Sequence, residues 1–330
     1  MTPFAPQELS TWVKERLVCP RDQTAFVFAS DKLVCANGHI YPCVEGVPIL
    51  LLDDIAQTHG QALEALKYKA EDNAAERLGI TVTDEAVNPH VQQLVASTCG
   101  LFYRPAMGKL TRYPIPELRL PAGDDKTFLD IGSSWGRWTI AAGRKNYRCV
   151  GMDPSLGAVL VAIQVSRQLG LKNDFIVADA RYLPFRSGSF DVIFSYSVIQ
   201  HFSKVDARRT FADIGRTLGP SGTSLVQMPN IFGIRSLYHL VRRGTRNPVD
   251  FEVRYWTPRE LKNVCRDNIG TPEIIVDGFF GLGVQRTDMD LLPLKYRTVA
   301  RISEWLRRAA QHFPFLRMFA DSLFLKVTRS

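Results

Sequence analysis

From Thr127 onward, apolar runs of five to eight residues recur at 127–131, 148–153, 174–178, 191–195, 222–228, 273–277 and 321–328. Runs of this length, without strict alternation of polar positions, predict strands covered on both faces. The segments between them have helical spacing. Strand–helix alternation of this kind predicts an α/β fold, a doubly wound and mostly parallel sheet of seven strands. The pattern upstream is different. Residues 1–54 read as a compact unit ending in Glu45-Gly-Val-Pro-Ile-Leu-Leu-Leu52, and residues 55–120 read as helical at Ile55–Leu78 and again around Val91–Phe102. The chain is then extended through Tyr113-Pro-Ile-Pro116 and Leu120-Pro121, where closely spaced prolines forbid a continuous helix and predict a linker. The expected organisation is therefore a small unit at 1–54, a helical segment and linker at 55–120, and a main domain at 121–330 with an insertion near 230–256.

The first strand of the main domain leads into Phe128-Leu-Asp-Ile-Gly-Ser-Ser-Trp-Gly-Arg137, and the second closes on Asp153, 21 residues after Gly132. Glycines where a strand turns into a helix let a ligand approach the backbone closely, and an acid ending the next strand suits a ribose. The spacing of Gly132 and Gly136 departs from the G-x-G-x-x-G fingerprint of dinucleotide proteins. Asp130, just before the turn, would repel a pyrophosphate but suits the ammonium of an S-adenosylmethionine tail. Downstream come Phe175-Ile-Val-Ala-Asp179-Ala180, Leu183-Pro-Phe185 and Ser189-Phe-Asp-Val-Ile-Phe-Ser195-Tyr-Ser-Val-Ile-Gln-His201. This succession resembles the class I S-adenosylmethionine-dependent methyltransferases with an "LPF…SFD-V" core, strongly over Thr127–Met228 and more weakly at Tyr255–Leu261 and the closing strand.

That resemblance implies a Rossmann-like methyltransferase fold with the ligand outside the carboxyl ends of the strands. Asp130, Gly132, Ser134 and Gly136 are expected around the methionine part of the cofactor, Asp153 on the ribose hydroxyls, Asp179 and the Ala180 backbone on the adenine, and Ser195 at the reacting centre. For each acid the alternative is a helix N-cap, above all for Asp153, which precedes Pro154-Ser155. His201 follows the fourth strand and is the candidate base by residue type and location. Related quinone-pathway O-methyltransferases carry E-x-x-E-H here; this chain has Ser197-Val-Ile-Gln200-His201 and lacks both acids, which speaks against a divalent-metal role. A structural histidine at a helix start remains the other reading. Tyr103, Trp135 and Tyr196 are candidate walls of the site.

The first unit carries a second motif, Cys19-x2-Asp22-x12-Cys35-x3-His39, with the form of a four-ligand zinc site. It is similar to zinc-ribbon segments of large-subunit rRNA guanine methyltransferases and of the activator subunit of tRNA methyltransferases, whose "YP…DGIP" ending matches Tyr41-Pro…Glu45-Gly-Val-Pro-Ile-Leu. Asp22 stands where those families carry cysteine, and Cys43 is a candidate substitute. One structural zinc and a metal-free ribbon held by its apolar residues both remain open.

Composition narrows the function classes. The 330 residues are 45% hydrophobic, no apolar run is long enough for a transmembrane helix, and no signal-like apolar segment follows the start. Six scattered cysteines suit a reducing compartment, so a cytoplasmic location is expected. Residues 1–54 hold 4 Lys/Arg against 7 Asp/Glu, whereas residues 231–330 hold 17 against 10. A basic C-terminal third, including Arg235, Arg242, Arg243, Arg246 and Arg254, suits RNA, an anionic membrane surface or an anionic substrate; it also suits a merely solvated face. An RNA methyltransferase is the alternative function, but the ribbon is acidic and no Asn-Pro-Pro-Tyr-type motif follows the fourth strand. The leading expectation is transfer to a small-molecule, lipid-like, glycan or natural-product acceptor, with residues 230–256 as a substrate cap and peripheral membrane contact compatible with the apolar residues interleaved among its arginines.

Overall fold

The parallel strands of this protein are apolar on both faces because they form the middle layer of a three-layer sandwich. The computed structural model describes residues 4–80, 85–244, 246–281, 283–284 and 286–329. Among the described residues eleven strands form one sheet: β1 (Phe26–Phe28), β2 (Lys32–Cys35), β3 (Ile40–Val44), β4 (Val47–Leu50), β5 (Thr127–Ile131), β6 (Arg148–Asp153), β7 (Asp174–Ala178), β8 (Phe190–Ser195), β9 (Leu218–Pro229), β10 (Glu273–Gly278) and β11 (Ser322–Thr328). Their spatial order is β1-β2-β3-β4-β7-β6-β5-β8-β9-β11-β10. Strands β5 to β9 run parallel, and β11 is inserted antiparallel between β9 and β10. Every residue of β5 and of β7 is buried, as strands covered by helices on both sides require. The seven expected strands are β5 to β11, and the chain order reverses between β5 and β8. Such a switch opens a crevice at the carboxyl ends of the strands.

The four N-terminal strands extend this sheet. β4 pairs parallel with β7 through Ile49–Val177 and Leu50–Ala178, and β1 to β3 continue outward as an antiparallel meander. The segment before β1 is fastened as well: the Gln7 side chain both donates to the Phe175 carbonyl and accepts from its N–H. Leu9, Val13, Leu17, Leu33 and Tyr41 are buried in the same apolar cluster as Leu129, Ile131 and Phe185.

Between the ribbon and β5 the helical content is lower than the periodicity suggests. In place of one helix over 55–78 there are two short ones, Gly60–Ala65 and Ala74–Arg77. Asp72 accepts from the Lys69 N–H and pairs with Arg77, so a side chain competes with the helix for local backbone donors. The next helix, Pro89–Thr98, has proline in its first turn and Asn88 as N-cap. Two insertions rise beside the carboxyl ends of the strands. The expected one contains the helix Ile234–Arg243. The second, between β10 and β11, contains the helix Leu294–His312 and was not anticipated from sequence.

Candidate active site and metal centre

The crevice at the carboxyl ends of β5 to β9 opens into a cleft of about 1000 Å³. That is the upper end of the ~300–1,000 Å³ range of small-molecule sites and leaves room for a cofactor beside an acceptor. Gly132, Ser134, Asp153, Asp179, Ala180 and His201 all line it. Gly132, Ser134 and Gly136 adopt positive φ of 75°, 48° and 83°. At Gly132 a side chain is also sterically barred, since a Cβ there would lie 2.2 Å from Val198 Cγ2.

Asp153 is not the N-cap of the following helix; Ser155 is, its hydroxyl accepting from the Ala158 N–H. The Asp153 carboxylate accepts the Ser134 N–H on Oδ2 at 2.9 Å and the Ser155 N–H on Oδ1 at 3.0 Å. Each oxygen keeps a lone pair for a ligand hydroxyl. Burial raises its pKa. Asp179 lies on the same wall, but its carboxylate is gripped by the buried Arg181 guanidinium, with Nε at 2.9 Å and Nη2 at 2.6 Å from Oδ2. Arg181 was missed in the sequence reading, although a cation two residues after an expected ligand acid is a readable signal.

Three of the expected cofactor residues stand back from the cleft. Asp130 is fully buried; Thr139 donates to its Oδ2 at 2.7 Å while Oδ1 has no hydrogen-bond partner, and desolvation pushes its pKa up to about 7. Gly136 begins the helix Arg137–Gly143 and packs toward Ala162 and Phe175. Ser195 is buried, and its hydroxyl lies 3.4 Å from the Ile131 carbonyl.

The other half of the cleft belongs to the insertions. His201 Nδ1 lies 2.6 Å from the Phe251 carbonyl and Nε2 lies 3.2 Å from the Gln200 amide, a pattern that places the ring proton on Nδ1. Phe251 stacks on the imidazole with ring centroids 3.8 Å apart, and His59 meets the same phenyl ring edge-on. Burial lowers the His201 pKa to about 4. Tyr196 lines the cleft, whereas Tyr103 and Trp135 are wholly buried and do not. Tyr196 and Ser322 donate to the buried Asp277, and Gln227 joins Ser322 to Ser197, a polar chain dispersed in sequence. The helix Ile234–Arg243 contributes Arg235, Ser236 and His239 to the wall.

Most of the arginines singled out in the basic third fasten the cap itself. Arg254 donates to the His201 and Glu252 carbonyls, Arg243 to the Val253 carbonyl, and Arg246 pairs with Glu252. Arg235 donates to the Phe280 carbonyl and to His239.

In the ribbon, Cys19, Asp22, Cys35 and His39 converge, with one ligand atom from each within 4.8 Å of all the others. His39 Nδ1 lies 3.5 Å from Cys19 Sγ, 3.3 Å from Cys35 Sγ and 3.1 Å from Asp22 Oδ2, and Cys35 Sγ lies 3.7 Å from that oxygen. Zinc–ligand bonds of about 2.0–2.3 Å give tetrahedron edges of about 3.3–3.8 Å, so the spacing and the donor set suit this ion. The Thr24 hydroxyl and N–H hold the Asp22 carboxyl well below the usual carboxylate range. Cys43 stays outside the cluster, and burial pushes its thiol up to about 12.

Residues 128–222 match the profile of a protein family described as "Methyltransferase domain". The biotin biosynthesis bifunctional protein BioHC of Cellvibrio japonicus is 33% identical over 108 residues, 32% of this chain and 20% of that protein, so the chain spans about a fifth of the length of that curated relative. Among solved structures, the complex of the Haloferax volcanii Trm112 methyltransferase activator with its methyltransferase aligns at 17% identity and TM-score 0.46, covering 73% of this chain and 95% of that one. An S-adenosylmethionine-dependent methyltransferase of Methanosarcina mazei aligns at 17% identity and TM-score 0.44, covering 62% and 93%. The stretch that matches the methyltransferase-domain profile runs from β5 into β9 and contains the glycine turn, Asp153 and Asp179.

Proposed function

We propose that the whole chain is an S-adenosylmethionine-dependent methyltransferase acting on a small, lipid-like acceptor. One observation carries this reading: a cleft of about 1000 Å³ joins the glycine turn and Asp153 to a chamber walled by inserted residues, Phe251, Val253 and Tyr255 together with Arg235, Ser236 and His239. S-adenosylmethionine supplies a methyl group on a sulfonium. The chain's own part is to hold both molecules in line, which accounts for most of the acceleration in a displacement of this type. Asp153 receives the ribose hydroxyls, the Gly132–Gly136 turn admits the methionine part, and the Asp179–Ala180 segment meets the adenine, with Arg181 fixing Asp179. Asp130 and Ser195, both buried behind the cleft, brace the glycine turn and the end of β8. His201 lines the cleft with Nδ1 held by the Phe251 carbonyl and Nε2 by the Gln200 amide; its low pKa makes it a weak base, so it contributes to positioning rather than to proton transfer.

The ribbon of residues 1–54 is assigned one structural zinc on Cys19, Asp22, Cys35 and His39, and the enzyme a cytoplasmic location. No described helix is long and apolar enough to cross a membrane. RNA is the disfavoured acceptor class because Arg243, Arg246 and Arg254 of the cap are engaged by backbone carbonyls and Glu252 rather than offered to phosphates. Calorimetry of the full chain with S-adenosylmethionine, followed by metabolite and RNA profiling of a deletion strain, tests the reading. Absence of cofactor binding, or a single undermethylated RNA as the accumulating species, overturns it.

A further inference from the structure

The helix Ile234–Arg243 is amphipathic in the wrong sense for a surface helix. Its exposed positions include Ile234, Leu237, Tyr238 and Val241, spaced i, i+3, i+4, i+7, with Val241 82% exposed. Its inward face is polar: Arg235, Ser236 and His239 line the cleft. Surface helices of globular domains do the opposite. The inversion is held by the N-terminal N–H groups of Arg235 and Ser236, which donate to the buried Asp321 at 2.6 and 3.0 Å. The same anchor brings a second exposed apolar stretch alongside. Asn230 donates to the Met318 and Ala320 carbonyls, and Phe313, Phe315, Met318 and Phe319 of that stretch are each about half exposed or more.

Charge says what this face meets. Residues 291–330 carry eight Lys/Arg against two Asp/Glu, and residues 231–243 carry three Arg and no acid. Neither of the two acids opposes an anionic surface: Glu304 is paired with Arg307 and Arg308, and Asp321 is buried. Arg242 and Arg317 stay exposed beside the apolar residues. Exposed apolar side chains with flanking arginines are the pattern of elements that lie in the headgroup region of an anionic bilayer. Large apolar side chains exposed in this number are otherwise a liability for a monomer.

We propose that the outer face of the helix Ile234–Arg243, together with segment 313–319, docks on an anionic membrane surface, so that an acceptor drawn from the bilayer enters the cleft past the helix's inner face. The acceptor part rests on the methyltransferase reading; the docking part does not. The test is co-sedimentation of the full chain with vesicles of phosphatidylcholine alone and of phosphatidylcholine with phosphatidylglycerol in equal parts. Binding is expected only to the anionic vesicles and should weaken as salt rises. Leu237→Asp and Val241→Asp together should lower partitioning about tenfold or more, since two exposed apolar anchors are lost, while calorimetric affinity for S-adenosylmethionine stays unchanged. Equal partitioning of wild type and variant, no sedimentation with either vesicle, or a wild-type dimer that these substitutions dissociate would each overturn the docking proposal. Vesicle binding by a protein that fails to bind S-adenosylmethionine would leave the docking surface standing and remove the proposed function instead.

Discussion

Replacing Asp153 by alanine tests the cofactor assignment most directly, because the structure fixes what the side chain does before any ligand arrives. Two backbone N–H groups, those of Ser134 and Ser155, end on its two oxygens. Both donors belong to turns that shape the cleft, so the substitution removes a ligand acceptor and also loosens the turns. Hydrogen bonds to a charged group contribute about 1.5–3 kcal/mol each. The wall is open to the cleft, and water can replace the carboxylate toward the two N–H groups at a modest entropic cost, so the loss of stability should be at the low end, about 1–2 kcal/mol. Water cannot reproduce the charged acceptor toward a ribose. Affinity for S-adenosylmethionine should therefore fall by about 1.5–3 kcal/mol, roughly 10- to 150-fold. Asp153→Asn separates the two effects. One amide oxygen still accepts one backbone N–H while the amide NH2 faces the other donor, so stability should return only in part while affinity stays low. Calorimetry on folded protein, with the melting transition followed in parallel, reads both quantities. Unchanged affinity in Asp153→Ala would refute the ribose assignment, and equal losses of stability in both variants would refute the account of the turns.

Three further outcomes follow from the geometry. Gly132→Ala should lower both the melting temperature and cofactor affinity, because the new Cβ meets Val198 at 2.2 Å and the residue sits at φ 75°; Val198→Ala in the same chain should recover only part of the loss, since the backbone strain of about 1–2 kcal/mol persists. Purified protein should hold up to one zinc by elemental analysis, and Asp22→Cys should tighten it against a competing chelator, because thiolate is the better ligand for this ion; the same affinity in both proteins would count against a shared tetrahedral site. His201 has its pKa lowered to about 4 from an ordinary 6.5, so the folded state binds fewer protons than the unfolded chain between those values. Its contribution to stability is complete above pH ~6.5 and is lost as pH falls through ~4, by about 3 kcal/mol in all. His201→Gln should flatten that part of the pH–stability curve, and an unchanged curve would reject the assignment.

What could be read from sequence, and what could not, divides along a physical line. Strands β5 to β9 were legible because a strand covered on both faces must be apolar throughout, and that demand is local. The glycine turn was legible for the same reason: positive φ at positions 132 and 136 is a requirement of the backbone, written into residue type. The convergence of Cys19, Asp22, Cys35 and His39 was legible from spacing, since each pair of ligands lies within one tight turn. The parts that failed to show depend on distant partners. Asp179 faces the cleft but is occupied by Arg181, and only the fold reveals that both are buried together. Asp130 is adjacent to the ligand turn in sequence, yet Thr139 takes one of its oxygens from the far side of a helix turn. The far half of the cleft is less legible still, because its polar chain assembles Tyr196, Gln227, Asp277 and Ser322 from four different strands or strand ends. The helix Ile234–Arg243 shows the limit most plainly. Its periodicity announces an amphipathic helix, but periodicity cannot say which face turns inward. Asp321, more than eighty residues away, decides that by holding the polar face against the cleft and leaving the apolar one outside. A pattern that ordinarily marks a core thus marks a surface here, and the polar face it displaces becomes a wall of the cleft.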